Sequence, residues 1–161
     1  GTDMGRDFLG DSLPADEVNL IEDGKDYGWP YCYGNRVRDS KFKSGEKLSY
    51  CTETEEPKFN LPAHVAPLGI TFIRSDLFPG EDQGDILVAL HGSWNSSTPV
   101  GYKIVKLSLL GNFITGSEDL ISGFLDGKEV LGRPVDLIFE RSGYLIISDD
   151  KAGLIYILSK R

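Results

Sequence analysis

Pro67-Leu-Gly-Ile-Thr-Phe-Ile-Arg-Ser75 recurs in this chain as Pro134-Val-Asp-Leu-Ile-Phe-Glu-Arg-Ser142. Each copy leads into an apolar run, Asp85-Ile-Leu-Val-Ala89 in the first case and Tyr144-Leu-Ile-Ile-Ser148 in the second. A further run follows each, Gly101-Tyr-Lys-Ile-Val-Lys-Leu107 and then Gly153-Leu-Ile-Tyr-Ile-Leu-Ser159. Units of several short strands that repeat along a chain cannot bury their faces singly and must stack. The reading is all-β, part of a β-propeller. The first copy continues into a fourth strand candidate, as a blade of four-stranded sheet should; the second ends after three.

Strand signals are short, rich in β-branched and aromatic residues and punctuated by Gly, Pro, Asn and Asp. They predict strands near Glu17–Ile21, Gly69–Ile73, Asp85–Leu90, Tyr102–Ser108, Asp119–Phe124, Val135–Phe139, Tyr144–Ser148 and Leu154–Leu158. No window carries a capped apolar stripe of helical period, so helices are not expected. The chain divides into a loop-rich partial blade over 1–66, a full blade over 67–126 and an incomplete blade over 127–161. A blade lacking its fourth strand exposes a sheet edge. Sequence is therefore expected on the N-terminal side, and self-association through open blade edges is possible.

The 161 residues carry 40% hydrophobic and 26% charged side chains, with a formal net charge of -8. That acidity disfavours nucleic acid, whose phosphates require clustered Lys and Arg. The stretch holding Arg36, Arg38, Lys41, Lys43 and Lys47 is diluted by Asp39 and Glu46 and reads as a solvated loop. No apolar run has the ~20 residues needed to span a bilayer. Cys32 and Cys51 flank a polar loop inside the aperiodic stretch Asp23 to Leu61, and spacing alone leaves disulfide and free thiols at even odds.

Among chemical motifs, the phosphate loop, the nucleophile elbow and the C-x-x-C pair are all missing. His64 stands in the Pro-bounded loop Pro62-Ala-His-Val-Ala-Pro67, and Arg133 occupies the matching place before the second copy. Taken singly, a loop histidine reads as a surface residue and a loop arginine as an exposed ion-pair partner. Taken together, they open successive blades at similar positions, which converge on the axial channel of a propeller. His91 lies in Leu90-His-Gly-Ser-Trp-Asn-Ser-Ser-Thr-Pro99, directly after a buried strand. Loops at strand ends carry function disproportionately, although a plain turn with Trp94 covering the core is the simpler reading. Tyr27-Gly-Trp-Pro-Tyr-Cys-Tyr33 reads as an aromatic plug. Asp16-Glu17 with Tyr27 could offer oxygens to a hard cation.

Leu9-Gly-Asp-Ser-Leu-Pro-Ala-Asp-Glu-Val-Asn-Leu-Ile21, Tyr27-Gly-Trp-Pro30, Ala63-His-Val-Ala-Pro-Leu-Gly69, Ala89-Leu-His-Gly-Ser-Trp-Asn95, Gly101-Tyr-Lys103, Gly132-Arg-Pro-Val135 and Ser148-Asp-Asp-Lys-Ala-Gly153 stand in collinear order. Together they resemble the glucose/sorbosone dehydrogenase family, and its sorbosone dehydrogenase branch above all. The resemblance implies a six-bladed propeller that binds pyrroloquinoline quinone (PQQ) with calcium and oxidises a sugar by hydride transfer to the quinone. An acceptor outside the protein then takes the electrons. It implies cofactor contacts at Arg133, His64 and His91, and calcium near Gly5 and Arg6. A structural calcium is implied near Glu17 and Tyr27, through backbone oxygens. Val135 stands where the glucose dehydrogenase branch has a second arginine, and His91 lies near that branch's lysine. The family's catalytic histidine belongs to earlier blades, so no catalytic residue is expected here, and the chain alone is expected to be inactive. The resemblance also implies export to the periplasm or beyond and favours a Cys32–Cys51 disulfide. The alternative is a propeller-derived binding module without catalysis.

Overall fold

The computed structural model describes residues 1–42 and 49–159. Lys43, Glu46 and Lys47 of the basic stretch, and Lys160 and Arg161 after the last strand, lie outside the described residues.

In the first unit, β1 (Thr2–Asp3) and β2 (Asp16–Val18) are followed by a small hairpin of β3 (Cys32–Tyr33) and β4 (Val37–Arg38). A single helical turn, α1 (Tyr50–Glu53), and β5 (Phe59–Leu61) complete it, with β1, β2 and β5 forming an antiparallel sheet in that order. The second unit is a four-stranded meander of β6 (Pro67–Phe72), β7 (Ile86–Leu90), β8 (Lys103–Leu110) and β9 (Phe113–Ile121), paired in chain order. A short hairpin, β10 (Leu125–Asp126) with β11 (Glu129–Val130), leads to the third sheet. That sheet is β12 (Pro134–Phe139), β13 (Leu145–Asp149) and β14 (Leu154–Leu158), again in order.

The repeat is thus repeated structure: Pro67–Phe72 and Pro134–Phe139 are the first strands of adjacent sheets. Their registers match in detail, because each ladder has an irregularity just after its proline, between Pro67 and Ile70 and between Pro134 and Leu137.

The core follows from strand period. Successive side chains of β7 point to opposite faces, and both faces are buried. Ile86, Val88 and Leu90 join Val18, Leu61, Val65, Val105 and Leu107 in one cluster. Leu87 and Ala89 join Ile73, Ile104, Leu137, Leu145 and Ile147 in another. β7 is therefore clamped between the first and third sheets, which explains its unbroken apolar sequence. Each such fully buried side chain contributes about 1.5–3 kcal/mol relative to exposure. Arrangement of sheets face to face, each contributing one side to two cores, is that of propeller blades.

Two expectations need correction. The fourth strand of the second unit runs over Phe113–Ile121, not Asp119–Phe124. A two-residue hairpin loop, Gly111-Asn112, reverses the chain directly after Leu110, with Leu110 opposite Phe113 and Gly111 at φ +60°. β9 is an outer strand with a largely exposed side, so it has no need of an apolar run and showed none. The second correction concerns helix: α1 and a 3-10 turn at Gly80–Asp82 do form, each too short to leave a periodic signature.

Candidate functional site

At one end of the strands, where β6 and β12 begin and β7 and β13 finish, a cleft of about 510 Å³ opens between the first, second and third sheets. Gly5, His64, His91 and Arg133 all line it, with Asp16, Trp94 and Asp150. Residues far apart in sequence meet there because each follows or precedes a strand of a different blade.

Arg133 is held by the chain on both sides. Its backbone N–H donates to Asp149 Oδ1 at 3.0 Å, fixing the start of β12 against the end of β13. Its Nη1 donates to the Gly92 carbonyl at 2.7 Å and its Nη2 to the Ser93 carbonyl at 3.1 Å. Among the described residues no carboxylate lies within ion-pair distance of Arg133. The exposed ion-pair reading is therefore wrong: the guanidinium is half-buried, bound by neutral carbonyls, and its charge stays uncompensated within the fold. Burial pushes the carboxyl of Asp149 up, but N–H donors from Ala152, Arg133 and Lys151 together with the Tyr156 hydroxyl outweigh this and hold it below its usual range.

The loop that receives Arg133 is shaped by Gly92, whose φ is +98°. A Cβ there would sit 2.4 Å from the Tyr102 ring, so only glycine fits. Gly92 N–H donates to Val65 O at 2.9 Å and His91 N–H to Ala66 O at 3.0 Å, stitching this loop to the one that carries His64. Ser93 and Val100 close it from the other side, with Ser93 N–H donating to Val100 O at 2.9 Å.

His64 is buried, not a surface residue as loop histidines read in isolation. It adopts φ +67°, and its Nε2 donates to the Gly10 carbonyl at 2.7 Å. His91 Nε2 donates to both Asp150 oxygens, at 3.0 and 3.1 Å. Trp94 does not cover the core: it is 68% exposed at the cleft.

Asp16 forms the buried floor. Its Oδ1 accepts from Gly5 N–H and its Oδ2 from Ala66 N–H, both at 2.9 Å. Burial pushes its carboxyl up, and those two donors offset part of the rise. Gly5 cannot carry a side chain, because a Cβ would meet Pro14 Cγ at 2.1 Å.

Gly5 also borders a second, small cavity of about 20 Å³, shared with Arg6, Glu17 and Tyr27. All four residues proposed for calcium thus surround one space, but their side chains are committed elsewhere. The Arg6 guanidinium is ion-paired with buried Asp39. Glu17 accepts from Gly34 N–H at 2.5 Å and from the Asn19 amide at 3.1 Å. The Tyr27 hydroxyl accepts from Glu22 N–H and donates to Leu20 O. Among the described residues, no group of three or more His, Cys, Asp or Glu is placed to hold a metal ion. A cation here would have to be met by main-chain oxygens. Cys32, at the same cavity, is disulfide-bonded to Cys51. Trp29, in the presumed plug, is 60% exposed, while Tyr31 packs edge-on against Phe42 and Tyr50.

A larger cleft, about 730 Å³, lies at the opposite strand ends between Ile73–Leu77 and Arg141–Tyr144. It contains neither histidine nor the Gly-Arg-Pro motif, and the convergence of motifs marks the smaller one. Sequence reasoning missed Tyr102, Asp150 and the floor role of Asp16; the Gly101-Tyr-Lys103 and Ser148-Asp-Asp-Lys-Ala-Gly153 motifs gave a signal for the first two.

No described helix is long and apolar enough to cross a membrane. A family model described as TrAA12-like matches residues 8–161. An uncharacterised protein of Borreliella burgdorferi is 40% identical over 159 residues, covering 96% of this chain and 41% of that protein. The pyrroloquinoline quinone-dependent pyranose dehydrogenase of Coprinopsis cinerea is 32% identical over 127 residues, covering 65% of this chain and 16% of that enzyme. The calcium structure of Trichoderma reesei carbohydrate-active enzyme family AA12 superposes with a TM-score of 0.75 at 23% identity, over 99% of this chain and 47% of that one. The chain therefore spans less than half the length of these relatives, and its sheets are blades of a propeller-type fold. Over nearly its whole length it belongs to the TrAA12-like family.

Proposed function

We propose that this chain forms the cofactor-anchoring part of a PQQ-dependent sugar dehydrogenase. One observation carries the reading. The Arg133 guanidinium lines a cleft of about 510 Å³ and is fixed by neutral partners, the Gly92 and Ser93 carbonyls and the hydroxyl and ring of Tyr102, so its charge is available to an anionic ligand. A flat quinone bearing several carboxylates suits that arrangement, and the volume is that of ordinary cofactor pockets. The family, and the quinone dependence of the Coprinopsis enzyme, support the same choice.

In this reading Arg133 binds a ligand carboxylate. His64 and His91 contribute polar contacts from the other two walls, with His91 oriented by Asp150. When bound, the quinone supplies the two-electron oxidant that takes hydride from the sugar carbon. The general base that takes the hydroxyl proton lies in blades outside this sequence, and an external acceptor removes the electrons. Main-chain oxygens near Gly5 and Arg6 would hold the cofactor's calcium, and those near Glu17 and Tyr27 would hold a structural ion, where the charge of the metal would polarise the quinone in the first case. The Cys32–Cys51 bond suits export to an oxidising compartment such as the periplasm.

Calorimetric titration of the chain with PQQ and calcium tests this. Binding is expected, but weaker than micromolar, because one wall of the ring is contributed by other blades. Absence of any heat at millimolar quinone would remove the cofactor assignment and leave the non-catalytic binding module. Submicromolar affinity would contradict the reliance on further blades.

A further inference from the structure

Two aromatic side chains stand in solvent beside this cleft, Phe8 at 80% exposure and Trp94 at 68%. Their rings meet edge to face, with centroids 5.8 Å apart and an interplanar angle of 84°. Phe8 holds φ +68°, a sparsely populated region for an aromatic residue that persists only when its surroundings over-determine it. Here two bridges do so. Asn95 Nδ2 donates to Asp7 Oδ1 at 2.7 Å, and Ser97 donates to the Asp11 carboxylate through both its N–H, at 3.0 Å, and its hydroxyl. The loop before β2 and the loop after β7 are thereby tied together beside the Phe8–Trp94 contact. Neither ring fills a core.

We propose that Phe8 and Trp94 form a stacking platform for the pyranose ring of a neutral sugar at the cleft mouth. The inference rests on the dehydrogenase reading and names a substrate contact within it. An aromatic face offers dispersion and water release to the apolar C–H face of a sugar. Asp7, Asn95 and Asp11 beside the rings offer hydrogen-bond partners to its equatorial hydroxyls. Arg133 and His91 lie on the same cleft as Trp94, so a ring stacked there borders the space assigned to the cofactor.

The chain has two tryptophans, so W29F leaves Trp94 as the sole indole. This variant is titrated with methyl β-D-glucopyranoside in the absence of quinone, with sorbitol as a ringless control of the same polarity. The expected result is a saturable blue shift of Trp94 emission and protection from acrylamide quenching, absent with sorbitol. Adding Phe8→Ala should weaken the affinity by roughly fivefold, and Phe8→Tyr should restore it. Equal responses to the glycoside and to sorbitol, or an affinity unmoved by Phe8→Ala, would overturn the platform. Because no quinone is present, either failure leaves the cofactor assignment to be judged by its own titration.

Discussion

The guanidinium of Arg133 lies over the Tyr102 ring, its Cζ 4.8 Å from the centroid, while its Nη2 donates to the Tyr102 hydroxyl at 3.2 Å. One residue from the third blade is thus gripped by the second blade through a π-face, a hydroxyl and two carbonyls. The planar fork makes this geometry possible, and an ammonium could not reproduce it. Arg133→Lys is expected to lower stability by about 1–2 kcal/mol, mostly through carbonyls left short of a donor. Urea midpoints of the two proteins check this; equal midpoints would show that the grip contributes nothing to the fold.

The Gly92 turn is the second support. Gly92→Ala places a methyl against the Tyr102 ring and forces a left-handed backbone on a residue that resists it. A loss of about 2–4 kcal/mol is expected. Thermal unfolding monitored by circular dichroism measures it, and a change within 0.5 kcal/mol, roughly the surface-substitution range, would be incompatible with the packing described.

Stability should depend on pH through Asp39. Arg6 holds the Asp39 carboxyl below its usual range, with Lys41 N–H assisting over the cost of burial. A depressed carboxylate stabilises the fold above its unfolded pKa, and the contribution is lost as pH falls through the folded value. Asp16 works in the opposite sense: burial raises its pKa, so its contribution is lost as pH rises above the unfolded carboxyl value and up to the folded one. Asp39→Asn should therefore be clearly less stable than the parent at neutral pH, and the gap should close in acid. A gap independent of pH would show that charge is not the cause.

The disulfide joins residues 19 apart in sequence, and a closed loop of that size contributes about 3 kcal/mol in the chain-entropy account. Reduction, or Cys51→Ser, should lower the urea midpoint accordingly and loosen the wall of the Glu17 cavity. Free-thiol counting on the unreduced, denatured chain should find none.

How much of this was legible beforehand depended on burial. β7, buried on both faces, and β12 to β14, repeating an earlier pattern, were written plainly as apolar runs. β9 was misplaced because an exposed outer strand needs no such run, and two-residue strands such as β1 and β3 leave no period. That His64, His91 and Arg133 line one cleft was anticipated by the blade repeat and the motif order, since neither requires knowledge of contacts. Asp16 and Asp150 were not placed at the cleft, because their roles arise from backbone donors and a histidine on other blades, pairings that no local spacing encodes.

Among the described residues β14 pairs only with β13, and Ile155 and Ile157 on it are 68% and 65% exposed. Its other edge invites pairing with another strand. Sedimentation velocity should show concentration-dependent association that Ile155→Lys suppresses; a monomer at every concentration would argue against it.

The account turns on where the quinone sits. A crystal of the chain soaked with PQQ and calcium gives the most direct answer. The account predicts planar density in the cleft bounded by His64, His91 and Arg133, with a carboxylate against the Arg133 guanidinium. Density confined to the cleft beside Arg74 and Arg141, or a bound quinone with Arg133 unengaged, would contradict it.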